Sequence, residues 1–112
     1  MMLNWNDYRK QLAAGVKEIG QLSPDTIKGY LALSAAGQKT DLLGAKVREL
    51  IALAVAFAIQ EPYCIDSYTS ACTDSGISPE EMAEAVNVAA VIRGGGTIAH
   101  WVQACNAIAR KD

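Results

Sequence analysis

Apolar residues recur along this chain at helical spacing, and no convincing run of strict apolar–polar alternation marks a strand. Punctuation by proline, glycine and capping residues divides the pattern into about six helices. The first is expected from Asn4 to Ile19, with Asn4 as N-cap and Gly20 as the stop. A second opens at Ser23-Pro24, a cap followed by proline at the first helical position, and ends near Gly37. Gln38 to Leu43 is a loop. A third runs from about Gly44 to Gln60. Pro62 marks a fourth start, with Glu61 at the N-cap and Gly76 closing the helix. Ser78-Pro79-Glu80-Glu81 is the clearest start in the chain, combining cap, proline and a capping-box glutamate. The fifth helix is expected to end at Gly94-Gly95-Gly96, and a sixth to run from about Thr97 to Arg110.

The second half of the third helix, Ile51-Ala-Leu-Ala-Val-Ala-Phe-Ala-Ile59, is apolar on every face. Such a helix is buried on all sides. In so small a chain, neighbouring subunits are expected to help cover it.

Composition narrows the class. At 112 residues the chain is expected to form one domain, residues 1–112, and 51% hydrophobic content argues against disorder. A net charge of −2 offers no clustered basic footprint for nucleic acid or anionic membranes. The longest apolar run, Leu50 to Ile59, is ten residues, about half a membrane span. Met1 to Lys10 is polar and reads as carrying no export signal. Three cysteines without such a signal suggest reduced thiols in the cytoplasm.

Cys64 is the first candidate for chemistry. With Pro62 as first helical residue, Cys64 is the third, beside backbone N–H groups that lack helical partners. The positive end of the helix dipole favours a thiolate there, and such cysteines serve as nucleophiles or redox centres. The alternative is a small buried apolar residue. Glu61 and Tyr68 flank Cys64 at i−3 and i+4, on one helical face. Tyr68 can donate to a thiolate or a bound oxygen. Glu61 can accept a proton, although its charge opposes a thiolate. As structural residues they would be a helix cap and a half-buried packing residue.

Glu49 enters an apolar helix face, with Leu53 and Ala56 following at i+4 and i+7. A carboxylate on such a face needs a partner or a raised pKa, as in acid–base sites; the alternative is pairing with Lys46 or Arg48. His100, the only histidine, is a candidate base or substrate contact, or else structural. With no second histidine a zinc site is not expected, and neither is a cofactor. Cys72 is eight residues from Cys64, roughly 12 Å of helical rise. A disulfide spans about 7 Å between Cα atoms at most, so the two cannot pair within one folded subunit. Cys105 shares a face with Trp101, and a bridge from it to Cys64 or between subunits stays open. The glycine triplet is not a phosphate loop, because no strand precedes it and no Lys-Ser/Thr follows.

Taken together, Lys46-Val-Arg-Glu49-Leu-Ile-Ala-Leu-Ala-Val-Ala, Glu61-Pro-Tyr-Cys64-Ile-Asp-Ser-Tyr68-Thr-Ser-Ala and Gly76-Ile-Ser-Pro-Glu-Glu-Met-Ala-Glu-Ala resemble the carboxymuconolactone decarboxylase family. The alkylhydroperoxidase D-like branch is the nearest, and the likeness runs from about Gly44 to Ala109. The resemblance implies an all-α bundle that assembles as a trimer or hexamer, with the active site near subunit contacts. The peroxidase branch carries Cys-x-x-Cys-x-x-x-His, with a glutamate twelve residues before the first cysteine. Glu49 matches that glutamate and Cys64 matches the second, peroxide-reacting cysteine. Glu61 stands where the resolving cysteine would be, and Tyr68 where the relay histidine would be. A Glu-Pro-Tyr-Cys variant of this kind is similar to peroxidase-like proteins associated with arsenosugar biosynthesis. Without a resolving cysteine, an oxidised Cys64 would need an external thiol reductant or Cys105.

The expectation is therefore a one-cysteine thiol redox enzyme acting on a peroxide or another thiol-reactive small molecule. Cys64 would be its nucleophile, Glu49 its relay carboxylate, Tyr68 and Glu61 tuning groups, and His100 a substrate contact. Two competitors are a lactone decarboxylase-type enzyme carried by Glu49 and His100, and a non-catalytic small-molecule binder.

Overall fold

The computed structural model describes residues 4–110. Met1–Leu3, part of the segment read as free of an export signal, lie outside the described residues, as do the last two residues of the 1–112 span. Among the described residues there are six helices and no strand: α1 (Trp5–Leu22), α2 (Pro24–Ala36), α3 (Gly44–Ile59), α4 (Pro62–Asp74), α5 (Pro79–Ala99) and α6 (Trp101–Ala109). Within the span expected to be one domain, the chain forms two compact units that meet between Gly44 and Ala45.

The first unit is the α1–α2 pair. Asn4 caps α1, its side chain accepting from the Asp7 amide at 3.2 Å. Gly20 does not stop α1. The helix continues to Leu22, and the Ser23 amide closes it on the Ile19 carbonyl at 2.7 Å. A Cβ on Gly20 would meet the Ile27 side chain of α2 at 3.7 Å, so this glycine lies where the two helices pack. Pro24 begins α2 as expected, but the Ser23 hydroxyl meets the Thr26 hydroxyl at 2.7 Å instead of capping the backbone.

The second unit carries the candidate site. Its core is Leu53 of α3, Cys72 of α4 and Ile77, with Leu50, Phe57 and Met82 packed against them. Leu53 and Cys72 are fully buried. The α4–α5 turn explains how Cys72 gets there. Gly76 takes φ +78°, the Gly76 amide bonds to the Thr73 carbonyl at 3.1 Å, and the Ile77 amide bonds to the Cys72 carbonyl at 2.9 Å. This is a Schellman ending, in which the residue after the left-handed one packs back onto the last turn. Ile77 does so against Cys72.

At the start of α5, Ser78 and Glu81 form the expected capping box, with both bonds at 3.1 Å. The second carboxylate oxygen of Glu81 reaches Lys46 of α3 at 2.6 Å. One glutamate thus caps α5 and ties the first turn of α3 to it.

One expectation needs correction. The glycine triplet is not an interhelical turn: α5 runs through it to Ala99, and the break falls at His100. Glycine permits a turn without dictating one, and costs about 1 kcal/mol per helical position relative to alanine. Here the ladder is reinforced by the Thr97 hydroxyl donating to the Arg93 carbonyl at 2.9 Å and by the His100 ring on the Gly96 carbonyl at 2.6 Å. Within the single chain α3 is covered on one face, which leaves the expected help from neighbouring subunits open. Leu53 and Ala56 are buried, whereas Val47, Ile51, Val55 and Ile59, a stripe at every fourth residue, are 44–63% exposed. The core of the second unit lies against one face of the helix only.

The Lys46 ammonium, followed by the Ser78 amide, holds the Glu81 carboxyl below the usual carboxylate range. Stability from such a group is present above its unfolded-state pKa and is lost as pH falls through the lower folded-state value. Urea unfolding should therefore show Glu81→Gln less stable than wild type at neutral pH, with the gap closing in acid once both carboxyls are protonated.

Candidate functional site around Glu61 and Cys64

Two residues, Gln60 and Glu61, join α3 to α4. The Glu61 amide bonds to the Ala56 carbonyl at 3.1 Å and the Gln60 amide to the Phe57 carbonyl at 3.2 Å, a second Schellman ending. Its left-handed residue is Gln60, at φ +57°, where the α4–α5 turn has Gly76. A side chain in that conformation costs roughly 1–2 kcal/mol. Non-glycine residues held this way gather at functional sites, and this one immediately precedes the candidate site.

Glu61 then caps α4. Its carboxylate accepts from the Cys64 amide at 2.7 Å and from the Tyr63 amide at 3.4 Å. Pro62, at the first helical position, has no amide proton to satisfy. The amides that would have faced the sulfur are therefore turned to a carboxylate. The Cys64 thiol also hydrogen-bonds to Glu61, and this bond is the main cause of a Glu61 pKa below the usual carboxylate range. Cys64 is half-buried. Burial, then the hydrogen bond to Glu61, then the charge of Glu61 push its thiol pKa up.

This corrects the electrostatic expectation. The helix N-terminus does not ionise Cys64, because a capping carboxylate takes up its positive end. The structure instead presents a thiol beside a carboxylate already accepting its hydrogen bond, which is the arrangement of a nucleophile with an adjacent base.

One carboxylate oxygen of Glu49 is buried without a hydrogen-bond partner. Its charge acts on Cys72, whose thiol pKa is raised first by burial and then by Glu49. Glu61 thus acts on Cys64, and the charge of Glu49 is felt at Cys72. Tyr68, one turn along α4 from Cys64, is 36% exposed. His100 lies at the α5–α6 junction with Nδ1 at 2.6 Å from the Gly96 carbonyl. A carbonyl only accepts, so Nδ1 carries the proton and Nε2 is the ring atom left for other contacts. Cys105 is exposed on α6. Among the described residues no three His, Cys, Asp or Glu side chains are grouped to hold a metal ion.

Sequence reasoning missed the effect of the Glu49 charge on Cys72, and it missed Arg93, whose Nη1 donates to the Ala58 carbonyl in the last turn of α3. A signal for Arg93 was available: from Val86 to Ala109 it is the only residue with a permanent charge.

Removing the charge of Glu61 while keeping an acceptor should release the thiol. Glu61→Gln is expected to speed iodoacetamide alkylation of Cys64 near neutral pH, with the two rates converging in alkali where both thiols are ionised. Site-resolved mass spectrometry measures this.

With the geometry in hand, comparison with known proteins identifies the lineage. A protein of Paracoccus denitrificans described as "Uncharacterized protein 4 in cox locus" is 32% identical over 88 residues, covering 79% of each chain. An "Uncharacterized protein" of Haemophilus influenzae is 35% identical over 68 residues, 61% of this chain and 60% of its own length. The sequence pattern of the carboxymuconolactone decarboxylase family, which includes enzymes, matches residues 24–107, from the first residue of α2 into α6. That match spans the strained α3–α4 corner with Glu61 and Cys64, and the chain belongs to the carboxymuconolactone decarboxylase family.

Proposed function

We propose that the protein is a thiol-dependent, peroxidase-like enzyme with Cys64 as its single nucleophile and Glu61 as the immediate acceptor of its proton. The observation that carries this reading is the double engagement of Cys64 by Glu61, through its amide at 2.7 Å and through its thiol. The Cys64 sulfur attacks one peroxide oxygen. An S–O bond forms, the O–O bond breaks, and the thiol proton passes through Glu61 to the departing oxygen. Sulfur is oxidised to a sulfenic acid, and the peroxide is reduced to an alcohol or water. A thiol supplied from solution condenses with the sulfenic acid, releasing water and leaving a mixed disulfide. A second thiol restores Cys64 and leaves as the disulfide of the reductant. Because the resting thiol is protonated, proton transfer accompanies attack, in contrast to a preformed thiolate. Tyr68, exposed one turn away, is available to donate to the leaving oxygen, and His100 offers Nε2 to a substrate.

In this reading Glu49 is the relay carboxylate, and its unpartnered oxygen also supports the acid–base alternative of the family, lactone decarboxylation. Assembly as a homo-oligomer, a trimer or hexamer, is supported by the exposed apolar stripe on α3 and by Trp101, Val102 and Ile108 of α6, each at least 60% exposed. No helix among the described residues is long and apolar enough to cross a membrane.

The two catalytic readings part on two substitutions. Under the thiol reading, Cys64→Ser reduces hydrogen peroxide consumption with dithiothreitol to the uncatalysed rate and abolishes dimedone labelling of the protein, while Glu49→Gln leaves labelling in place. Activity on a lactone acid that survives Cys64→Ser and disappears in Glu49→Gln would establish the decarboxylase reading instead.

A further inference from the structure

We infer that Arg93 is a positioning residue for Cys64, acting through the Gln60–Glu61 turn; the inference rests on Glu61 as the group that controls the Cys64 proton.

The last turn of a helix leaves four carbonyls without helical partners. In α3 these are Ala56, Phe57, Ala58 and Ile59. The chain itself satisfies the first two, through the amides of Glu61 and Gln60. Arg93 reaches from α5, 35 residues along the chain, to satisfy the third. The two Schellman turns of this unit make a natural comparison. At the α4–α5 turn the left-handed residue is Gly76, and the buried side chain of Ile77 packs back onto Cys72. At the α3–α4 turn the left-handed residue is Gln60, and the following residue, Glu61, is polar and half-buried. This turn has neither the glycine nor the apolar contact that holds the other. What it has is a guanidinium on the intervening carbonyl.

Consequences for the sulfur follow from connectivity. Glu61 supplies both the amide that closes α3 and the carboxylate that caps α4. Its carboxylate stays on Cys64 only while its backbone keeps the extended conformation of the cap, φ −97° and ψ 106°. Arg93 holds the carbonyl two residues before Gln60, and so holds the corner from which Glu61 is aimed. In a stretch of helix otherwise without permanent charge, one arginine placed on that carbonyl has a specific job.

The test reads the pH profile of Cys64 alkylation by iodoacetamide, resolved from Cys72 and Cys105 by peptide mass spectrometry. Arg93→Met should move the Cys64 profile to lower pH, in the direction of Glu61→Gln, because the thiol loses its carboxylate partner. Arg93→Lys, which keeps a donor, should stay near wild type. In the Glu61→Gln background Arg93→Met should add no further shift. Gln60→Gly relieves the turn and should shrink the effect of Arg93→Met; it also provides a stable background should the single variant fold poorly by circular dichroism. A wild-type profile in Arg93→Met overturns the inference, as does a shift of equal size with or without Glu61, or a shift in Arg93→Met where Glu61→Gln produces none. Failure of the redox reading is seen separately: the profiles would move as stated while hydrogen peroxide produced no dimedone-reactive Cys64.

Discussion

The Glu61 carboxylate answers two demands that one sequence position seldom has to meet together. Helix α4 needs an acceptor for its first free amides, and the thiol three residues on needs an acceptor for its proton. One carboxylate meets both, within 2.7 Å of the Cys64 amide. The consequence is electrostatic. A helix N-terminus with a neutral cap stabilises a thiolate, whereas a helix N-terminus capped by a carboxylate has its positive end already neutralised. Burial and the Glu61 carboxylate favour the protonated thiol at Cys64.

That arrangement also gives physical meaning to the departure from the peroxidase pattern. At the position of the resolving cysteine in the peroxidase pattern that the sequence resembles, this chain has a carboxylate that accepts from the Cys64 amide. The influence of Glu49 on Cys72 is of another kind. Cys72 is fully buried and packed by Ile77, so it belongs to the core, and the carboxylate near it raises its pKa further. A group so placed does not act as an accessible nucleophile.

The corner between α3 and α4 connects these observations to the fold. Gln60 accepts a left-handed conformation, Glu61 closes one helix and opens the next, and Arg93 holds the carbonyl between Ala56–Phe57 and the turn. Lys46 and Glu81 fasten the other end of α3 to α5. The helix that carries Glu49 is therefore tied to α5 at both ends, while the stripe of Val47, Ile51, Val55 and Ile59 between those ties is left uncovered.

Local rules were enough to read the helical starts from the residues alone. Asn4, Pro24, Pro62 and the Ser78–Glu81 box act within one turn of themselves, so their effect does not depend on the rest of the chain. The family pattern, the all-α class and the placement of Glu61 beside Cys64 followed from the same short-range spacing. Glycine was the misleading signal. Gly20 and the triplet at 94–96 lie inside helices, because a residue that permits a turn does not impose one and long-range packing or hydrogen bonding decides. Tertiary structure alone brought the charge of Glu49 to bear on Cys72, since the two are 23 positions apart in the chain. It alone brought Arg93 to Ala58, and turned a helix end expected to ionise Cys64 into one that keeps its proton. Spacing along one helix is short-range geometry; charge coupling and desolvation depend on neighbours that only the packed chain supplies.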